Sequence, residues 1–246
     1  MTGKETIALI HGAFTTSNDW KQIASDLAQS FHVLTPDLPG HGDATESIFT
    51  VDNAADSIHK LIRESATGGK AHVVGHSLGA QVAIRLAEKY PNVIRTQIVS
   101  GFEIYPSLPS TPWLSRTLWT MNRVENLVPR PAIRWLMDGA RIGRSYPTMK
   151  ACREIAEAMN TAMLPEPWPA PTLIVAAGRG GVIPSYDHPD DARKLAAIGR
   201  ELNDRTIAVV HPRMRHPWHQ QDPALFVSMI RAWIGGFEVP AGFESL

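Results

Sequence analysis

The chain is short of cysteine, of net charge and of long apolar runs, and each shortage removes a class of answer. Cys152 is the only cysteine among 246 residues, so no internal disulfide can form and a reducing, cytoplasmic setting is expected. No motif that would activate a thiol surrounds it, which leaves Cys152 the part of a small apolar residue in a helix. Lys plus Arg total 24 and Asp plus Glu total 24, a formal net charge of +0. With the two signs interspersed, neither nucleic acid nor an anionic membrane is expected as a partner. No stretch approaches the ~18 apolar residues of a membrane span, and the first six residues lack the cationic and apolar pattern of a secretory signal. Metal-ligand spacings of His, Cys and carboxylates are also missing, so neither metal nor cofactor is expected. The length suits one large domain, or a core with an inserted lobe.

Six short runs read as strands: Thr6–Ile10, His32–Pro36, Ala71–Val74, Arg95–Ser100, Thr172–Ala177 and Arg205–His211. They are almost wholly apolar, as in a parallel sheet covered on both faces, and helical patterns separate them. The first helix is expected after the capping residues Ser17 and Asn18, a second from Thr50, and a last one from Pro223 to Gly235-Gly236. Such alternation predicts a doubly wound, mostly parallel α/β sheet of about six strands. It breaks at 102–170, where Trp113, Trp119, Trp135 and Trp168 stand among Leu, Met and Pro without a convincing strand. This segment reads as a helical lid, with 1–101 and 171–246 as the core.

Gly75-His76-Ser77-Leu78-Gly79 carries the chemistry. A G-x-S-x-G pentapeptide between a strand and a helix is a nucleophile elbow, a tight turn that exposes the serine hydroxyl above the sheet. The flanking glycines leave room where the turn has none for side chains. His11-Gly12-Ala13-Phe14 closes the first strand and Asp37-Leu38-Pro39-Gly40-His41-Gly42 follows the second. Taken in this order, the motifs resemble the α/β-hydrolase superfamily over the first hundred residues, and the likeness resumes from about Pro171 to Pro223. The opening directly at the HG-bearing strand resembles its smaller members, such as plant esterases and hydroxynitrile lyases.

The resemblance implies a catalytic Ser77 and an oxyanion hole built from the backbone N–H groups of Ala13 and Leu78. It places the base after the last parallel strand, where His216 is preferred to His219 and His211. Arg215 precedes it where the family usually has glycine. The acid is less plain, because the position a few residues beyond Gly178 carries no carboxylate. Asp187 is preferred and Glu103 is the alternative; Asp190 and Asp191 suit the first turn of a helix instead. His11 and His41 are expected to hold loops together. The implied activity is a serine hydrolase that cleaves a small, largely apolar carboxyl ester, thioester or lactone through an acyl-enzyme. Arginines in the inserted segment, Arg123, Arg130, Arg134, Arg141 and Arg144, are read first as solvated and second as partners of an anionic substrate. The partner is thus a small molecule, and the chain a monomer or homodimer. Carbon–carbon bond cleavage, lyase or cofactor-free oxygenase chemistry, or a non-catalytic receptor, are the alternatives.

Overall fold

The computed structural model describes residues 3–104, 109–180 and 187–246. The loop after Gly180, which the sequence suggests is extended, therefore falls mainly outside the described residues. One sheet contains β1 (Thr6–Ile10), β2 (His32–Leu34), β3 (Ala71–His76), β4 (Ile94–Ser100), β5 (Thr172–Ala177), β6 (Ile207–His211) and β7 (Glu244–Ser245). Their order is β2-β1-β3-β4-β5-β6-β7. The first six run parallel. The seventh, absent from the sequence expectation, is antiparallel and pairs Ser245 with Val209 and Glu244 with Val210. Two exposed polar residues carry no apolar alternation, so nothing in their pattern announces a strand. β2 stops short of its expected end as Pro36 approaches, a residue with no N–H to give the ladder.

The helices are α1 (Lys21–Leu27), α2 (Val51–Ser65), α3 (Leu78–Lys89), α4 (Thr111–Leu127), α5 (Arg130–Leu136), α6 (Met149–Thr161), α7 (Pro189–Arg200), α8 (Trp218–Gln221) and α9 (Pro223–Gly235). A 3-10 turn over Ser17–Trp20 leads into α1, and its cap is Thr16, one residue earlier than expected, whose hydroxyl accepts from Asn18 N. Thr50 caps α2 by accepting from Asn53 N, and Asp222 caps α9 by accepting from Leu225 N. Gly236 ends α9 in the left-handed region at φ 72°. Trp20, Leu27, Phe226 and Ile230 bury one face of the sheet, while Ile58, Ile62, Leu86 and Leu195 bury the other. Each such side chain contributes about 1.5–3 kcal/mol by leaving water.

Between β4 and β5 lie α4, α5 and α6, and no strand occurs there among the described residues. Trp168 belongs with the sheet rather than with these helices. It is fully buried, donates from Nε1 to Thr172 Oγ1 at 2.7 Å, and occupies space left by Gly199. The chain leaves β1 for β2 on one side and returns to β3 on the other. That reversal opens a crevice at the carboxyl ends of β1 and β3, where ligands bind in sheets of this kind.

Candidate active site

Ser77 sits between β3 and α3 at φ 55° and ψ −120°, a conformation that costs a non-glycine residue free energy. The turn survives because its neighbours are bare. A Cβ on Gly75 would stand 2.2 Å from the Gly79 carbonyl oxygen, and one on Gly79 would stand 2.2 Å from that of Ile10. Neither backbone can yield, so glycine is required at both places. Ser77 N donates to Ser100 O at 2.8 Å, which ties the elbow to β4. Leu78 is the first residue of α3. Its N–H therefore lies beyond the intrahelical ladder, at the positive end of the helix.

The loop after β1 is fixed by His11. Its Nε2 accepts from Leu38 N at 3.0 Å and its Nδ1 donates to Gly12 O at 2.8 Å. These partners assign the tautomer. Burial pushes His11 down to about 4, so the ring stays neutral. Thr15 Oγ1 also donates to Gly12 O, at 3.0 Å. The Gly12–Ala13 peptide is planar and trans, so with its carbonyl held on one side the Ala13 N–H points to the other. His41 donates from Nδ1 to Pro39 O at 3.0 Å and packs edge-on against His11.

His216 follows β6, and its Nδ1 lies 2.5 Å from Asp187 Oδ1. Asp187 is 1% exposed. It is pinned by a reciprocal pair with the end of β5: Ala177 N donates to Oδ2 at 2.7 Å, and Asp187 N donates to Ala177 O at 2.8 Å. Burial alone would push the His216 imidazolium down. The charge and hydrogen bond of Asp187, with the charge of Glu103, outweigh it and hold the ring above 6.5. Both carboxylates considered from the sequence thus converge on this imidazole, with Asp187 taking its Nδ1. Burial pushes the Glu103 carboxyl up, against the pull of His216 and with help from the charge of Asp187. Glu103, Asp187 and His216 bring one donor atom each within 4.8 Å of one another, the one such cluster among the described residues. Its imidazole and carboxylate are already bonded to each other, and it lacks the further nitrogen or sulfur ligands that a tetrahedral zinc site takes.

The other two histidines are engaged elsewhere. His219 Nε2 pairs with Asp19 Oδ2 at 2.8 Å, and His211, the last residue of β6, packs against Phe243. Asp190 and Asp191 stand in the first turn of α7, where Asp191 also accepts from Ile104 N at 2.9 Å. Two residues escape a sequence reading. Gly101, at φ +68°, would carry a Cβ 2.6 Å from His216 Cε1, so its bareness seats the imidazole. A glycine closing a strand was its only signal. His76 lays its ring 4.7 Å from that of His216 and 4.2 Å from that of His219. Burial, with both neighbouring imidazoles, keeps His76 neutral.

Ser77, His216 and Ala13 line one cavity of about 1210 Å³. Its apolar wall comes from Phe14, Met137 and Ile142, and its polar wall includes Asn126, Arg141 and Arg144. Trp113 and Trp135, which the sequence suggests as its cover, are 70% and 79% exposed and do not line it. A second cavity of about 800 Å³ lies among the inserted helices; it shares Arg141 and Ile142 with the first, and neither Ser77 nor His216 lines it. No helix among the described residues is long and apolar enough to cross a membrane.

The profile of the alpha/beta hydrolase family matches residues 7–229. An "AB hydrolase superfamily protein" of Gibberella zeae is 33% identical over 244 residues, covering 98% of this chain and 84% of the relative. Several other curated relatives are matched over about half their length or less. Among solved structures, a thermophilic esterase from Thermogutta terrifontis superposes with a TM-score of 0.73 at 22% identity, over 96% of this chain and 91% of that one. An E-2-(acetamidomethylene)succinate hydrolase gives 0.71 at 22% identity, over 95% and 92%. At such identity the likeness establishes the fold. The family profile reaches from Ile7 in β1 past His216, and the chain belongs to the alpha/beta hydrolase family.

Proposed function

We propose that the protein is a serine hydrolase acting on a small carboxyl ester, thioester or lactone. The observation that carries this reading is that His216, paired through Nδ1 with the buried Asp187, lines one cavity with a serine on a strained elbow. Ser77 attacks the acyl carbonyl and His216 takes its proton, while Asp187 holds the imidazole in the required tautomer. The backbone N–H groups of Ala13 and Leu78 receive the developing oxyanion, where each fixed donor is worth on the order of 10²–10³ in rate. The imidazolium gives that proton to the departing alcohol or thiol as the acyl–oxygen or acyl–sulfur bond breaks. Water activated by the neutral histidine then cleaves the acyl-enzyme to the acid and free Ser77. Phe14, Met137 and Ile142 favour an apolar group on the substrate.

A second reading adds an anionic group. Arg141 and Arg144 line the cavity and form no ion pair among the described residues, unlike Arg130, which meets Glu125 at 3.6 Å. The names of two structural neighbours, the succinate hydrolase above and an N-formylmaleamic acid deformylase from Pseudomonas putida, carry such groups.

Turnover of p-nitrophenyl esters of increasing chain length tests the reading, with a neutral and a carboxylate-bearing ester of equal size separating its two forms. A pre-steady-state burst is expected, because acylation precedes hydrolysis. The pH profile carries a sign. The base works as neutral imidazole, and the charge and hydrogen bond of Asp187 raise its pKa above the ordinary histidine value. The rising limb of kcat/KM is therefore expected above pH 6.5, and in Asp187→Asn it is expected to move down. No turnover of any ester, with tight binding of a small molecule, would instead favour a receptor.

A further inference from the structure

Arg215 stands beside the base where glycine is usual, and the fold gives its guanidinium a partner far away in sequence. Arg215 Nε donates to Asp138 Oδ2, and the arginine side chain is only 10% exposed. Asp138 also binds Arg179, with Nε 2.7 Å from Oδ2 and Nη2 3.2 Å from Oδ1. The two arginines belong to different loops. Arg215 immediately precedes His216, whereas Arg179 follows β5 on the way to Asp187. Asp138 comes from neither. It lies just beyond α5 in the inserted helical segment, in the left-handed region at φ 51°. One carboxylate thus joins three segments at the side of the site.

Other contacts show how directly this junction reaches the catalytic pair. Arg179 N donates to Met214 O at 2.9 Å and Gly178 N to His211 O at 3.0 Å, so the acid loop and the base loop already share backbone hydrogen bonds. Arg215 N donates to Gln221 Oε1 at 2.9 Å, which closes the turn around His216. Nη1 of Arg215 is buried without a hydrogen-bond partner, and Asp138 is the carboxylate on this guanidinium among the described residues. Removing Asp138 would leave a buried charge uncompensated, and such a charge moves toward water and carries its backbone along.

We propose that Asp138 is a positioning residue. It clamps Arg215 and Arg179 together and holds the two loops in the register in which His216 Nδ1 meets Asp187 Oδ1, so that the seating of the inserted helices governs the strength of the base. The proposal rests on the serine-hydrolase reading above. It differs from general packing because it acts through Arg215, and from plain electrostatics because of a sign. Asp138 is negative and Arg215 is positive, so as point charges near His216 they would shift its titration in opposite directions. As a clamp, loss of either loosens the Asp187–His216 bond, and both shifts have the same direction.

The experiment compares Asp138→Ala, Asp138→Glu, Arg215→Gly and the double variant Asp138→Ala/Arg215→Gly, each checked for folding by thermal melt, with Ser77→Ala as control. Asp138→Ala is expected to lower kcat about 10- to 100-fold with KM within about threefold, and Asp138→Glu to recover most of it. The double variant is expected to be no worse than the poorer single variant, because both break one connection. The acid limb of kcat/KM should fall to lower pH in Asp138→Ala and in Arg215→Gly alike. Limbs that move in opposite directions, additive losses, or unchanged kinetics in folded Asp138→Ala would overturn the clamp. Retained turnover in Ser77→Ala would instead overturn the hydrolase reading on which it rests, so the two failures are told apart.

Discussion

Ser77→Ala is expected to abolish labelling by a fluorophosphonate and to lower kcat/KM by about 10⁴-fold or more. The size follows from the elbow. Ser77 is held at φ 55° by a turn whose flanking positions admit no side chain, a strain that under the proposed mechanism presents its hydroxyl to the substrate. Removing Oγ leaves that turn intact, so the variant should melt close to the parent. A residual rate above the uncatalysed reaction is expected, because the amides of Ala13 and Leu78 would still receive charge on a carbonyl oxygen. The measurement is gel-based labelling of wild type and variant together with ester turnover. A label that persists in Ser77→Ala would remove the nucleophile assignment and everything built on it.

Asp187→Asn is expected to cost about 10⁴-fold in kcat, the scale of a wrongly held imidazole. Glu103→Gln should stay within about tenfold. The two carboxylates differ in how they are held. Asp187 receives the Ala177 amide on one oxygen and His216 on the other, so it cannot turn away. Glu103 stands near enough to act on His216 by its charge, but burial raises its own pKa and its backbone carbonyl is engaged by Gln81 Nε2 at 2.7 Å. An asparagine at 187 would offer Nδ1 an amide, which favours the wrong tautomer, whereas a glutamine at 103 removes only a neighbouring charge. Comparable losses in the two variants would show that the carboxylates share the work. A large loss confined to Glu103→Gln would exchange their roles.

Much of this architecture is legible before any coordinate is known, for identifiable reasons. Strands buried on both faces are nearly all apolar, so β1, β3, β4 and β5 stand out from their surroundings. The elbow is legible because a turn that excludes Cβ atoms must be spelled with glycine. The edge strand β7 has no such constraint, since two exposed polar residues pair along only one side. The acid is hard to place for a related reason. Its identity depends on how the chain between Gly180 and Asp187 spaces itself, and composition does not encode that path. Trp168 misleads because its bulk is that of a lid residue, while the notch at Gly199 that receives it is distant in sequence. Asp138 is invisible in the same way, because a single aspartate beyond a short helix acquires meaning only when two arginines from elsewhere arrive beside it.

Gly101 bears no functional group, yet its absent side chain is what admits the imidazole of His216. A larger residue there would meet the ring and would also have to adopt φ +68°, so two independent penalties fall on one codon. In a saturation library scored for turnover, position 101 should therefore be as intolerant as position 77. Evolution can retune the acid, the cavity wall or the inserted helices by ordinary replacement, but this site offers it no intermediate step.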